Sequence, residues 1–258
     1  MTAPVFRSGS KPAATIDEVI DRLSAIIQWA SDNQSRMGYF AALYRKVTIS
    51  VRDGIQNGLF DDAERMKRLD VIFANRYLDA FEAFLADRPI AFSWRIACQS
   101  TGEYWPIVLQ HLLLGMNAHI NLDLGIATAA TMRGTNIEAV HEDFNKINGV
   151  LASLVKDVSN ELAEIWMTLR VLNRFLWNEE DAIINFSMRK ARDEAWESAQ
   201  RFAALTDERW ADAIAVQDRI ALTIGGLVRR PDLFRDGVIR AIRLGEVSSV
   251  RKVIEILT

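Results

Sequence analysis

The chain has 258 residues, half of them hydrophobic, which is enough to bury a sizeable core. Thirty-one Lys and Arg stand against 34 Asp and Glu, a net charge of −3, and so small an imbalance argues against a nucleic-acid footprint or a polybasic membrane patch. The single cysteine, Cys98, excludes an intramolecular disulfide framework and a Cys-rich zinc site. Together with a start lacking a signal-like apolar stretch, it makes the cytoplasm the expected location.

Five prolines, 13 glycines and the absence of hairpin signals between alternating segments predict an all-α fold. The expectation is one domain over residues 15–258, a bundle or orthogonal array of about eight to ten helices, behind a disordered lead-in over residues 1–14. Thr15-Ile-Asp-Glu18 is a capping-box pattern, and Ile16, Ile20, Leu23, Ile27 and Ala30 follow at helical spacing to about Asp32. A second helix covers Met37 to Gln56. A third starts near Asp61, with Leu69, Ile72, Phe73, Tyr77, Ala80, Phe81 and Phe84 as its apolar face, and ends before Arg88-Pro89. A short helix follows over about Ser93 to Gln99.

Pro106 opens the next helix and Gly134 closes it. Its apolar run, Ile107 to Met132, is long enough to cross a bilayer, yet Gln110, His111, Asn117, His119, Asn121 and Asp123 interrupt it, so it reads as a buried helix and not a transmembrane segment. Thr135 is the expected cap of a helix reaching about Trp166 or beyond. Further helices are expected from Asp181 to Leu205, Asp207 to Arg229, Pro231 to Leu244 and Val247 to Leu257.

All three histidines, His111, His119 and His141, fall within one 31-residue stretch, and histidine is the commonest metal ligand and the most readily tuned acid-base group. On a straight helix His111, Gly115, His119 and Asp123 form a ridge in which each step of four advances about 40° around the axis and about 6 Å along it. His111 and His119 then lie about 12 Å apart, too far to share one ion, whereas His119 and Asp123 are neighbours. Gly115 either lets a facing helix approach closely or leaves room for a ligand. Asn117 and Asn121 point more than about 150° away from the His119 and Asp123 face and should satisfy a different helix or loop. The next helix offers Glu138 three residues before His141 and Asn145 four residues after it.

If consecutive helices pack antiparallel, His119 and Asp123 face His141 with Glu138 or Asn145, and such a set would hold one divalent metal such as zinc, iron or manganese. The other reading of His119 and Asp123 is a buried hydrogen-bonded pair that locks two helices together. His111 would cap or bond a nearby carbonyl, Asp79 would pair with Arg76 on its own helix, and Arg192 would stack on Trp196.

Arg76-Tyr-Leu-Asp79-Ala, Trp94-Arg95, His111-Leu-Leu-Leu-Gly-Met-Asn-Ala-His-Ile-Asn-Leu-Asp123 and Ala191-Arg-Asp-Glu-Ala-Trp196 together resemble a family of bacterial and fungal helical proteins defined as a domain of unknown function. The resemblance spans about residues 15 to 258 and implies an all-helical fold with the 111–123 block as its signature. More remotely, Leu114-Gly through His119 and Asp123 is similar to the Leu-Gly-x-x-x-His-x-x-x-Asp helix of zinc-dependent phospholipases C and single-strand nucleases. The chain departs from that pattern with Asn145 in place of a carboxylate and with no histidine soon after Asp123, so this similarity implies at most one ion on His119, Asp123 and His141.

Two functions remain open at the level of sequence. One is a hydrolase-like enzyme in which His119 and Asp123 bind metal or act as a general base. The other is a noncatalytic helical protein that binds a small molecule or a partner, with the polar groups as a structural network.

Overall fold

The computed structural model describes residues 11–166, 173–230 and 233–258, and among these there is no β-strand. Helix α1 (Ile16–Asp32) starts where the Thr15 side chain accepts the N–H of Glu18, and it buries Val19, Leu23, Ile26 and Ala30 along one stripe. Helix α2 (Met37–Gln56) packs antiparallel to it across a short turn. Asp62 caps α3 (Ala63–Leu85), its carboxylate accepting from Arg65 N at 2.9 Å. Then come α4 (Phe92–Ser100) and α5 (Val108–Ala118), a π-helical segment (His119–Leu124) and α6 (Gly125–Thr131). A 3₁₀ turn (Ile137–Val140) leads into α7 (His141–Ile165), followed by α8 (Asn173–Ala203), α9 (Asp207–Arg229), α10 (Leu233–Gly245) and α11 (Val250–Leu257). No helix among the described residues is long and apolar enough to cross a membrane.

Several local expectations change. The histidine helix does not run unbroken from Pro106 to Gly134: it begins at Val108 and widens into a π turn from His119. Asn136, and not Thr135, caps the following turn, while the Thr135 hydroxyl donates to Met132 O. Helix α8 begins at Asn173, eight residues before the expected Asp181. The expected start at Pro231 and any extension beyond Trp166 lie outside the described residues, as do residues 1–10 of the lead-in. Ala13 is already tied to α3, exchanging two hydrogen bonds with the Asn75 side chain at 2.8 and 2.9 Å.

Distant buried carboxylates fasten helix N-termini whose main-chain N–H groups have no partner of their own. Asp218 of α9 accepts from Phe92 N, Ser93 N and Ser93 Oγ at the start of α4. Glu246 accepts from Val108 N at the start of α5 and from the Trp166 indole. Asp143 of α7 accepts from Asp61 N and Asp62 N just before α3, and from Arg65.

Among the described residues two hydrophobic clusters form the interior, one centred on α1, α2, α5 and α11, the other on Met66, Leu69, Leu124, Phe144 and Trp196. Val47 and Phe73 pack against both. Two glycines on the central helix permit its close packing. A Cβ on Gly115 would lie 2.4 Å from the Phe40 ring, and one on Gly125 would lie 2.8 Å from Ser198 Oγ and 3.0 Å from Ala195 O. Phe40 thus fills the gap beside Gly115 that the sequence left open to either a helix or a ligand.

Candidate functional site

The π segment carries His119, Asn121 and Asp123, all buried. A π turn admits an extra residue and interrupts the regular ladder of main-chain bonds, a feature that recurs at functional sites. Here α9 supplies one side chain and one carbonyl: Gln217 Nε2 donates to Asn121 O at 2.7 Å and Asn117 Nδ2 donates to Ala221 O at 2.7 Å, while Asn121 Nδ2 donates to Asn117 Oδ1 at 2.9 Å within the central helix. Asn117 thus reaches a different helix, as its angular position predicted, whereas the Asn121 side chain is committed to Asn117 of its own helix.

On the other side of the segment Asp123 is clamped. Arg76 Nε donates to its Oδ1 at 2.6 Å and Trp94 Nε1 donates to its Oδ2 at 2.8 Å. Burial alone would raise the carboxyl pKa, but Arg76 and His119 outweigh it and the net shift is downward. Arg76 therefore turns to Asp123 and not to Asp79 on its own helix, because a buried carboxylate needs a cation more than an exposed one does.

His119 Nδ1 lies 3.6 Å from Asp123 Oδ2, beyond good hydrogen-bond length. Both ring nitrogens are buried without a hydrogen-bond partner among the described residues. The imidazole is held by aromatic rings: Phe73 stacks on it with centroids 3.6 Å apart, and Tyr44 meets it edge-on at 4.4 Å. Burial lowers its pKa against the opposing pull of Asp123, so the ring is neutral at pH 7. A neutral imidazole with a free nitrogen can accept a proton or a hydrogen bond, and the adjacent carboxylate would stabilise the resulting charge.

His119 lies in the wall of a cavity of about 200 Å³ enclosed by α2, α3, α5, the π segment, α7 and α8. The lining is overwhelmingly aliphatic and aromatic, with Leu43, Leu112, Met116, Ile147, Leu151 and Leu162 among its members. Four further polar residues punctuate it: Tyr44, Asp70, Ser159 and Arg192. Asp70 Oδ2 and the Tyr44 hydroxyl are buried with no partner among the described residues, and burial raises the Asp70 pKa to about 7. Sequence reasoning passed over Tyr44 and Asp70 and gave Arg192 a stacking role on Trp196 instead. Asp70 alone left a signal, an acid inside the helical stripe of Met66, Leu69, Phe73, Ala74 and Tyr77.

The other sequence candidates lie elsewhere. His111 Nδ1 is 3.4 Å from the Ser100 hydroxyl, its Nε2 has no partner among the described residues, and burial pushes its pKa down to about 3. His141 stacks on Trp196 with centroids 4.3 Å apart, the position the sequence assigned to Arg192. Glu138 is exposed and accepts from Gln200 at 2.7 Å, and Asn145 is exposed on α7. Among the described residues no three His, Cys, Asp or Glu side chains gather closely enough to hold a metal ion, so His141 does not join His119 and Asp123. His141 instead stacks on Trp196, and Arg76 and Trp94 take both Asp123 oxygens. Cys98 is buried, and burial pushes its pKa up to about 12, which leaves it an unreactive thiol.

No curated protein and no solved structure matches the chain. A family model does match, over residues 16–231, ending before α10 and not at residue 258, and on that match the chain belongs to DUF5995, a family of unknown function.

Proposed function

We propose that the protein binds a predominantly apolar small molecule in the cavity, with His119 as a polar contact on its wall. The observation that carries this reading is the cavity's composition: an aliphatic and aromatic lining with the unpartnered polar atoms of His119, Asp70 and Tyr44 set into it. Apolar pockets with a few convergent polar groups are the usual form of small-molecule sites. Buried polar atoms without partners are costly, and a ligand that meets them recovers part of that cost.

A second reading, general-base catalysis at His119, is favoured by the neighbouring carboxylate. Asp123 is fixed by Arg76 and Trp94 one turn from an imidazole that has a nitrogen to spare. Turnover of nitrophenyl esters by the wild-type protein, abolished by His119→Gln, would support it; equal rates in the two proteins would end it.

The binding reading is tested by titrating the protein with N-phenyl-1-naphthylamine, whose emission rises in apolar surroundings. The wild type should bind one dye per chain. Leu151→Trp, which fills the cavity from α7, should bind at least tenfold more weakly while keeping the wild-type thermal midpoint. No binding by the wild type, or equal binding by both proteins, would refute the reading.

A further inference from the structure

Arg192 is a buried cation with no carboxylate in ion-pair contact among the described residues; the charge of the neighbouring Asp193 only partly offsets its burial. It is 4% exposed on α8, in the wall of the same cavity. Its Nε donates to Asn148 Oδ1 at 2.7 Å, its Nη2 donates to Phe144 O at 2.5 Å, and the guanidinium lies 4.4 Å from the centroid of the Phe144 ring. Both acceptors are neutral, and neither Asn148 nor Phe144 compensates a full charge. The buried carboxylate on the same stretch of α7, Asp143, is committed to Arg65, Lys146 and two main-chain N–H groups. Asp193 is next to Arg192 in sequence but exposed on a different face of α8.

An arginine has five N–H groups, so roughly three remain for a ligand, enough for a bidentate pair with a carboxylate. A buried charge is tolerated when it is paired, and its desolvation cost favours whichever anion reaches it. The shape of the cavity narrows the choice. Its lining follows α7 from Phe144 to Leu162, about 27 Å by helical rise, with Arg192 bonded at the Phe144 end and only apolar side chains along most of the remainder. One cation balances one negative charge, which suits a monocarboxylate better than a phosphate monoester. Asp70, a carboxylic acid in the wall, is held largely protonated below about pH 7 by burial and does not repel an anion there, and burial keeps the Tyr44 phenol neutral as well.

We infer that the cavity receives a long-chain monocarboxylate, its carboxylate paired with Arg192 and its acyl chain lying along the apolar face of α7. This inference rests on the cavity being a ligand site, and the experiment separates the two. N-phenyl-1-naphthylamine is bound to the full chain at pH 6.5 and displaced with dodecanoic acid, methyl dodecanoate or dodecanol. The acid should displace the dye at a concentration at least tenfold below the ester and the alcohol. Arg192→Met should erase that preference, and Arg192→Lys should keep part of it. If the dye binds but acid, ester and alcohol compete equally in the wild type, the carboxylate assignment is wrong and the cavity reading stands. If the dye does not bind at all, both are wrong. Should Arg192→Met fail to fold, the wild-type comparison of acid with ester still decides the matter.

Discussion

The ring of Phe73 lies flat against the imidazole of His119, their planes 9° apart, while Tyr44, Phe40 and Trp94 close around the remaining faces. Such an enclosure disfavours charge on the imidazole. The expected outcome is a His119 that remains neutral in nitrogen-detected NMR spectra at pH 6.5, where a free histidine is half protonated.

The stability of the fold carries the same signature. His111 and His119 have folded pKa values below their unfolded value near 6.5, so the unfolded chain takes up more protons as pH falls through that value. Their contribution is present above about pH 6.5 and is lost on acidification, for His111 down to about pH 3. Thermal unfolding should show a smaller loss between pH 7 and pH 4.5 in His111→Gln than in the wild type. An unchanged acid slope would contradict the assignment.

Asp70 acts with the opposite sign. Burial raises its folded pKa from 3.8 to about 7, so the folded state holds the extra proton between those values and stability declines as pH rises through the interval. Asp70→Asn should therefore raise stability at pH 8 by on the order of 2 kcal/mol and change it far less at pH 4, as read from chemical denaturation at the two pH values.

Asp123 is held from two sides, and the side that is cut matters. Asp123→Ala leaves the Trp94 indole N–H unpartnered and Arg76 without its carboxylate, a loss of about 3–5 kcal/mol. Asp123→Asn retains one acceptor, and the partly exposed Arg76 can turn to water, so its cost should be clearly smaller. Equal destabilisation by the two substitutions would show that the clamp is not the source of the effect.

Two glycines in helices should respond in opposite directions to alanine. At Gly115 the new methyl would overlap the Phe40 ring, and overpacking of about 1–3 kcal/mol should exceed the roughly 1 kcal/mol of helix propensity gained. Gly149 on α7 faces open space, so Gly149→Ala should stabilise by up to about 1 kcal/mol. Urea denaturation of the two variants checks both signs.

Local signals in the sequence carried much of the fold. The Thr15 cap lies one hydroxyl from its N–H partner, α2 runs from Met37 to Gln56 as its pattern implies, and the interruption of the central helix by polar residues correctly marked it as buried. The π turn at His119 was hidden because helical periodicity assumes a constant 3.6 residues per turn, while the widened turn is supported by Gln217, 96 residues away. His119 and Asp123 were legible as neighbours because they share one helix. Their partners were not: Arg76, Trp94 and Phe73 arrive from α3 and α4 through tertiary packing that no spacing encodes. Arg192 was misread for the same reason, since a plausible local partner, Trp196, lies four residues away while its acceptors lie on α7.

Entry of a ligand into the cavity can be read site by site from the methionine methyl groups. Met66, Met116 and Met188 line the cavity, whereas Met37 and Met132 do not. With ¹³C-methyl-labelled protein titrated with N-phenyl-1-naphthylamine, the signals of Met66, Met116 and Met188 should shift together to saturation while those of Met37 and Met132 hold their positions. No shift at the three lining methionines, or equal shifts at all five, would contradict ligand binding in the cavity.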